Sequence, residues 1–176
     1  MNIIIRRELE KDYKEVNKMI KKSFEMAEHT DNNEHNLVEK LRKSDNFVKE
    51  LSLVDVKDNK IIGHVISTRL DIVSVDKTDK SLALAPLSVH PDFQRIGVGS
   101  SLIKETFKIA KELGYGSIFI LGSDKYYTRF GFEKSTNFGI NAPFDVPSEN
   151  FMAIELIEGA LKNVYGNLVY AKEFFN

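Results

Sequence analysis

The sequence predicts an α/β protein, an α+β arrangement in which one mixed central β-sheet carries helices on both faces. Three observations predict it. Short apolar runs joined by charged turns fill the first half of the chain and read as antiparallel hairpins. A single strand–loop–helix–strand unit then runs from Val89 to Ser117, and such a right-handed crossover sets its two strands parallel. Further extended segments follow that unit, so the sheet continues beyond the parallel pair.

Ile3, Ile4 and Ile5 form a short strand ended by Arg6 and Arg7. Asp12 helps to open a helix whose Leu9, Tyr13, Val16, Ile20 and Phe24 share one face. Residues 28–36 are polar throughout and break that pattern, after which Leu37, Val38 and Leu41 mark a second, short helix. Residues 51–56 alternate as a strand, residues 57–60 turn, and residues 61–75 are a β-branched run interrupted near Arg69, Leu70 and Asp71. A charged turn at residues 76–80 leads to the strand at residues 82–89.

That strand ends at His90 and Pro91, and a loop with Gly97 and Gly99 follows. A helix then opens at once. Val98, Leu102, Ile109 and Leu113 recur at helical spacing, Ile103, Phe107 and Ala110 widen the stripe, and Gly114 stands just past its end. Residues 117–121 read as a buried strand. A turn at Gly122, Ser123 and Asp124 enters a short helix that carries Tyr126 and Tyr127 and ends at Gly131. Residues 135–149, with Pro143 and Pro147, lack a period and form a long loop. Residues 151–157 are a strand, and a last one begins at residues 168–170 after Gly166. No repeat or linker divides the chain, so residues 1–176 are expected to be one domain.

The glycine loop points to phosphate. A helix start presents unpaired N–H donors and the positive end of the helix dipole. A P-loop would place lysine directly after the second glycine, yet the first lysine past Gly99 is Lys104. A dinucleotide fingerprint would need glycine where Leu102 stands, and an acid at the end of the next strand, which has none. What remains is Gln94-Arg95-Ile96-Gly97-Val98-Gly99, of the form Gln/Arg-x-x-Gly-x-Gly/Ala. Before it stands the Leu-Ser-Val-His-Pro strand end. After it comes Tyr126-Tyr127-Thr128-Arg129-Phe130-Gly131-Phe132. With these residues the chain resembles the GNAT N-acetyltransferase superfamily over essentially its whole length. The run from Leu121 to Phe132, with the late Phe-Met-Ala-Ile-Glu-Leu strand, is similar to the YhbS-like subgroup.

The resemblance implies acetyl-CoA as co-substrate, no metal, and central strands that splay around the pantetheine arm. Backbone groups of Leu87, Ser88 and Val89 would bond the pantetheine amides as an added strand would. N–H groups of Gln94, Arg95, Ile96, Gly97, Val98, Gly99 and Ser100 would wrap the pyrophosphate, where a Cβ at 97 or 99 would hold the backbone off the ligand. Tyr127, four residues before Gly131, matches the position whose hydroxyl protonates the departing thiolate. Tyr126 lies about 100° away around the helix and reads as packing, as do Phe130 and Phe132. The implied reaction moves the acetyl group to a primary amine by direct attack in a ternary complex. A non-catalytic CoA-binding or sensing module on the same fold is the alternative, and Tyr127 favours the enzyme.

Composition narrows the field. With 25 basic and 26 acidic residues the net charge is −1, which carries no footprint for nucleic acid or an anionic membrane. The absence of cysteine excludes disulfides, thiolate zinc sites and an acetyl-cysteine intermediate. No apolar run approaches the roughly 18 residues that span a bilayer, and the first residues are too charged for a signal peptide. The expected state is a cytoplasmic monomer or homodimer.

The acceptor's base stays open among Glu28, Asp31, Glu34, His35, His64 and His90. Of these, His64 reads as a strand histidine satisfied in place, and His90 as structural or at the cofactor's edge. His29, His35, Asp31 and Glu34 read as a solvated loop rather than a metal site. No lysine or arginine occurs between Lys22 and Lys40, or between Lys134 and Lys162. Glu28, Asp31 and Glu34 on one side, with Asp145 and Glu149 on the other, therefore predict a negative mouth. The expectation is a cationic acceptor, polyamine-like or a basic peptide amine, bound by Glu28, Asp31 and Glu34.

Overall fold

A computed structural model describes residues 3–175. Strand β1 (Ile3–Arg7) leads through a turn at Glu10–Asp12 into helix α1 (Tyr13–Phe24). Asp12 fixes that entry. Its carboxylate accepts the Leu9 N–H at 2.8 Å and pairs with Arg6 at 2.7 Å. Helix α2 (Glu34–Leu41) follows, then three long strands, β2 (Phe47–Lys57), β3 (Lys60–Val73) and β4 (Thr78–Val89). Helix α3 (Val98–Glu112) crosses to β5 (Ser117–Leu121), and a short α4 (Asp124–Tyr127) precedes β6 (Glu133–Lys134). The chain ends with β7 (Phe151–Glu155), β8 (Asn167–Val169) and a turn at Lys172–Phe175.

The strands order as β1-β2-β3-β4-β5-β7-β6, with β8 joining the far end of β3. Among the described residues only β4 and β5 pair in parallel, which is the crossover that the sequence predicts. Side chains alternate between two faces. On one, α3 seals Leu53, Val65, Leu84 and Ile118 with Leu102 and Ala110. Helix α3 sits close because Gly63 has no side chain: a Cβ there would come within 2.7 Å of Val98 and 2.9 Å of Leu102. On the other face α1 and α2 cover Val54 and Ile66, and further along it Leu70, Phe119 and Phe151 form a second cluster.

Two elements differ from the sequence reading. Strand β3 runs unbroken through Arg69, Leu70 and Asp71, which pair with Leu82, Ser81 and Lys80. The charges that look like a break are the outer positions of an alternating strand. Leu70 is fully buried between them, and Asp71 pairs with Lys80 at 2.7 Å. The long loop at residues 135–149 is itself packed, with Ile140 buried and Phe144 edge-on to Phe151 at 5.6 Å.

One feature of the sheet positions the site. Parallel pairing of β4 with β5 stops after Leu82–Ile118 and Ala83–Phe119, while β4 itself runs on to Val89. Val65 faces Leu87 and Ser67 faces Leu84, so Ala85 and Pro86 stand opposite Ile66 alone. Such an extra residue bends the strand. Pro86, with no N–H to donate, suits an edge that bonds nothing. The central strands therefore splay, and a wedge-shaped gap opens between them.

Candidate active site

The gap is lined by backbone of one register. The His90 N–H bonds the Ile62 carbonyl at 2.8 Å, and His64 lies directly opposite Ser88. By strand alternation Ser88 turns its N–H and C=O toward β3, whereas Leu87 and Val89 turn theirs into the gap. Two of the three expected pantetheine contacts thus face the gap, and Ser88 does not. The Gln94 side-chain amide reaches the same edge and donates to the Val89 carbonyl at 3.1 Å.

Beyond β4 the chain turns on Pro91–Phe93, and the Asp92 N–H donates to His90 Nδ1 at 3.2 Å. Arg95 (φ 64°) and Gly97 (φ 97°) then adopt left-handed backbone and swing it into α3. Gly97 is the N-cap and offers no side chain, and the first helical bond runs from Ser101 N–H to its carbonyl. The N–H groups of Val98, Gly99 and Ser100 therefore remain outside the helix ladder. A Cβ at Gly97 would meet no protein atom within 4 Å, and the left-handed φ of 97° itself favours glycine there. At Gly99 the reason is different: a Cβ would lie 2.6 Å from the Tyr126 hydroxyl.

A cleft of about 540 Å³ spreads from these groups, bounded by Leu87, Val89, Gln94, Arg95, residues 97–100, Tyr126, Tyr127 and Arg129. Its two charged side chains, Arg95 and Arg129, are both cationic. Arg129 lies 4.3 Å from the centre of the Tyr126 ring. Free N–H donors, a helix start and two guanidinium groups fit a pyrophosphate. The wedge beyond fits an extended amide arm, so the residues present suit coenzyme A. Ile96, 62% exposed, does not line the cleft.

On the other side of the wedge lies a second cavity of about 460 Å³. Its floor is Ala83, Leu84, Ala85, Pro86 and Leu87 with Ile120 and Leu121, and its walls are Phe24, Leu37, Phe144, Tyr170, Phe174 and Phe175. Among the described residues Glu34 is the one charged side chain in this lining. Leu87 and Tyr127 belong to both cavities. The Tyr127 ring packs edge-on against Phe132 at 5.8 Å and Tyr126 at 4.8 Å. Gly122 makes room for it, since a Cβ there would stand 2.5 Å from the ring. Burial pushes the Tyr127 hydroxyl well above the ordinary tyrosine value, and the charge of Tyr126 adds to the shift.

The acids of the two loops do not converge. Glu34 opens α2 and accepts a hydrogen bond from the Thr30 hydroxyl. Asp31 is exposed, on a shallow groove shared with Glu34 and Glu173. Glu28, Asp145 and Glu149 are exposed and line neither cavity. His35 is half-buried and also lines neither. His64 is fully buried in a polar cluster, with Nε2 3.3 Å from Ser52 Oγ and 3.5 Å from Glu8. Glu8 also accepts from Arg42 at 2.5 Å and from Ser52 at 2.6 Å, which ties β1 to β2, β3 and the end of α2. Among the described residues no group of His, Cys, Asp or Glu could hold a metal ion, and no helix is long and apolar enough to cross a membrane.

Sequence reasoning missed Arg129 and the aromatic wall. Arg129 follows Tyr126 by three residues, so one turn of helix carries both to the cleft. The paired aromatics Phe174 and Phe175 were the visible hint of the wall, but nothing local says what they face.

The sequence profile of the Acetyltransferase (GNAT) family matches residues 9–132, and the chain belongs to that family, whose enzyme class is acyl transfer. It is 28% identical to the uncharacterised N-acetyltransferase YhbS of Escherichia coli, over 98% of both chains. It is 33% identical to the uncharacterised N-acetyltransferase YjhQ of the same organism, over 66% of this chain and 65% of YjhQ. The crystal structure of YhbS in complex with CoA superposes with a TM-score of 0.89 at 25% identity, covering 100% of this chain and 93% of that one. The fold is also that of a GNAT acetyltransferase from Brucella melitensis in complex with acetyl-CoA, with a TM-score of 0.80 at 24% identity over 98% of each chain.

Proposed function

We propose that the chain transfers the acetyl group of acetyl-CoA to a primary amine, by direct attack within a ternary complex. The observation that carries this reading is Tyr127, which borders both cavities at the wedge between β4 and β5. Acetyl-CoA occupies the cleft at the α3 start, its pyrophosphate on the N–H groups of residues 98–100 with Arg95 and Arg129 beside it. The pantetheine amides bond the gap-facing groups of Leu87 and Val89, which delivers the thioester to the wedge. The amine enters from the opposite cavity.

The neutral amine nitrogen forms a bond to the thioester carbon, and the gap-facing Leu87 N–H, where the two cavities meet, steadies the oxyanion. As the carbon–sulfur bond breaks, Tyr127 gives its proton to the departing sulfur. The amine's proton leaves by way of solvent and restores the tyrosine. Burial keeps Tyr127 protonated at neutral pH, and the same dry surroundings disfavour a free thiolate, so proton transfer and bond cleavage are coupled.

Tyr127→Phe tests the assignment because it removes one hydroxyl and little volume. Turnover, followed as thiol release, falls by about 10²-fold or more, while acetyl-CoA affinity by calorimetry is unchanged. Wild-type turnover in the Phe variant would remove Tyr127 from the chemistry.

A further inference from the structure

We infer that the acceptor is a monoamine with an apolar, aromatic body, an arylalkylamine. The inference rests on the acetyl-transfer reading above and names the second substrate of that site. Three features of the acceptor cavity carry it. Its walls are aromatic and aliphatic, with Phe24, Leu37, Phe144, Tyr170 and Phe174 drawn from α1, α2, the long loop and the end of the chain. Its volume, about 460 Å³, falls within the range of cavities that enclose small organic ligands. Among the described residues its charge inventory is a single carboxylate, Glu34, whose position is held by the Thr30 hydroxyl.

This inventory discriminates between amines. One carboxylate matches one ammonium. A polyamine drawn into the cavity would bring further ammonium groups to a lining with no second acid among the described residues, and an unpaired buried charge is expensive. An amino acid fares no better, because the lining holds no lysine, arginine or histidine to meet its carboxylate. An arylalkylamine leaves nothing unpaired. Its ring packs on the aromatic walls, and its ammonium meets Glu34. The proton that the ammonium sheds before attack passes to the Glu34 carboxylate and on to solvent. Of the loop acids that suggest a negative mouth from sequence, Glu34 is the one in the lining of this cavity, and specificity falls to the apolar wall.

The test compares phenethylamine and tryptamine with phenylalanine, spermidine and a lysine peptide, by thiol release from saturating acetyl-CoA. The expected result is a kcat/KM for the best arylalkylamine at least about tenfold above those of the other three. Phe175→Ala alters a wall residue that is 65% exposed, so folding does not depend on it. It raises the KM for tryptamine several-fold and leaves acetyl-CoA affinity unchanged. Spermidine, phenylalanine or the peptide matching the arylalkylamines overturns the inference and leaves acetyl transfer standing, as does an unaltered tryptamine KM in the Phe175 variant. Bound acetyl-CoA with no thiol release for any amine overturns both.

Discussion

Gly122→Ala changes a residue that lines neither cavity and yet sets the position of Tyr127. Its backbone conformation accepts alanine, and its N–H and C=O stay held by the Asn150 carbonyl at 2.9 Å and side chain at 3.1 Å. The new methyl carbon, however, would stand 2.5 Å from Tyr127 Cε2 and 3.0 Å from Cδ2. Ordinary carbon contacts begin about 1 Å further out, so the ring must recede by roughly that distance. A displacement of about 1 Å at a reacting group can cost up to 10²-fold in rate. The expected outcome is therefore a kcat reduced by about 10- to 100-fold, with acetyl-CoA affinity held. Steady-state thiol release at saturating amine, with calorimetric titration of acetyl-CoA, measures both quantities. A double-mutant cycle with Tyr127→Phe sharpens the result, because the displacement costs nothing once the hydroxyl is gone. Wild-type turnover in Gly122→Ala, or full additivity in the cycle, would refute the reasoning.

Two further perturbations probe the cradle and the fold. Gly97→Val forces a β-branched residue to φ 97°, a strain of about 1–3 kcal/mol. The protein keeps its circular dichroism spectrum while acetyl-CoA affinity falls by about tenfold or more, and unchanged affinity would end the cradle assignment. Burial alone would push the Glu8 carboxyl up, but the hydrogen bond and charge of His64, with Arg42 and Ser52, outweigh it and bring it from 4.5 to about 2. Because the folded state holds this carboxylate below its unfolded value, its contribution is complete above pH 4.5 and is lost as pH falls toward about 2. Glu8→Gln leaves Arg42 buried without its charge partner. It costs about 3–5 kcal/mol in chemical denaturation and flattens the acid limb of the stability profile. A profile identical to wild type would show the cluster to be inert.

The elements that the sequence predicted well were those whose signal is local. The stripe from Val98 to Ala110, the glycines before it and the apolar run at Ser117–Leu121 each carry their structure within a few residues. The crossover followed from them. Ser88 illustrates what a local reading lacks: naming the strand does not say which residues turn toward the gap, because that depends on the register with His64. The acids show a second limit. Glu28, Asp31 and Glu34 read alike in sequence, but α2 begins at Glu34, and Leu37, one turn on, shares its cavity. The aromatic wall was hidden most completely. Phe24, Phe144 and Phe174 meet only because three distant segments fold onto one face of the sheet, and no spacing records that convergence.

The short parallel seam has a mechanical side. Strands β1 to β4, with β8, form one plate, and β5, β7 and β6 form another, hinged at the pairs Leu82–Ile118 and Ala83–Phe119. Past the hinge the amides of Leu87 and Val89 have no strand across from them, so hydrogen exchange there is governed by whatever lies in the wedge. On the proposed function, a coenzyme arm that spans the two plates would join them as a missing strand does and would stabilise the whole sheet by mass action. Melting temperature and amide protection at these two residues would then gauge cofactor occupancy with no acceptor present.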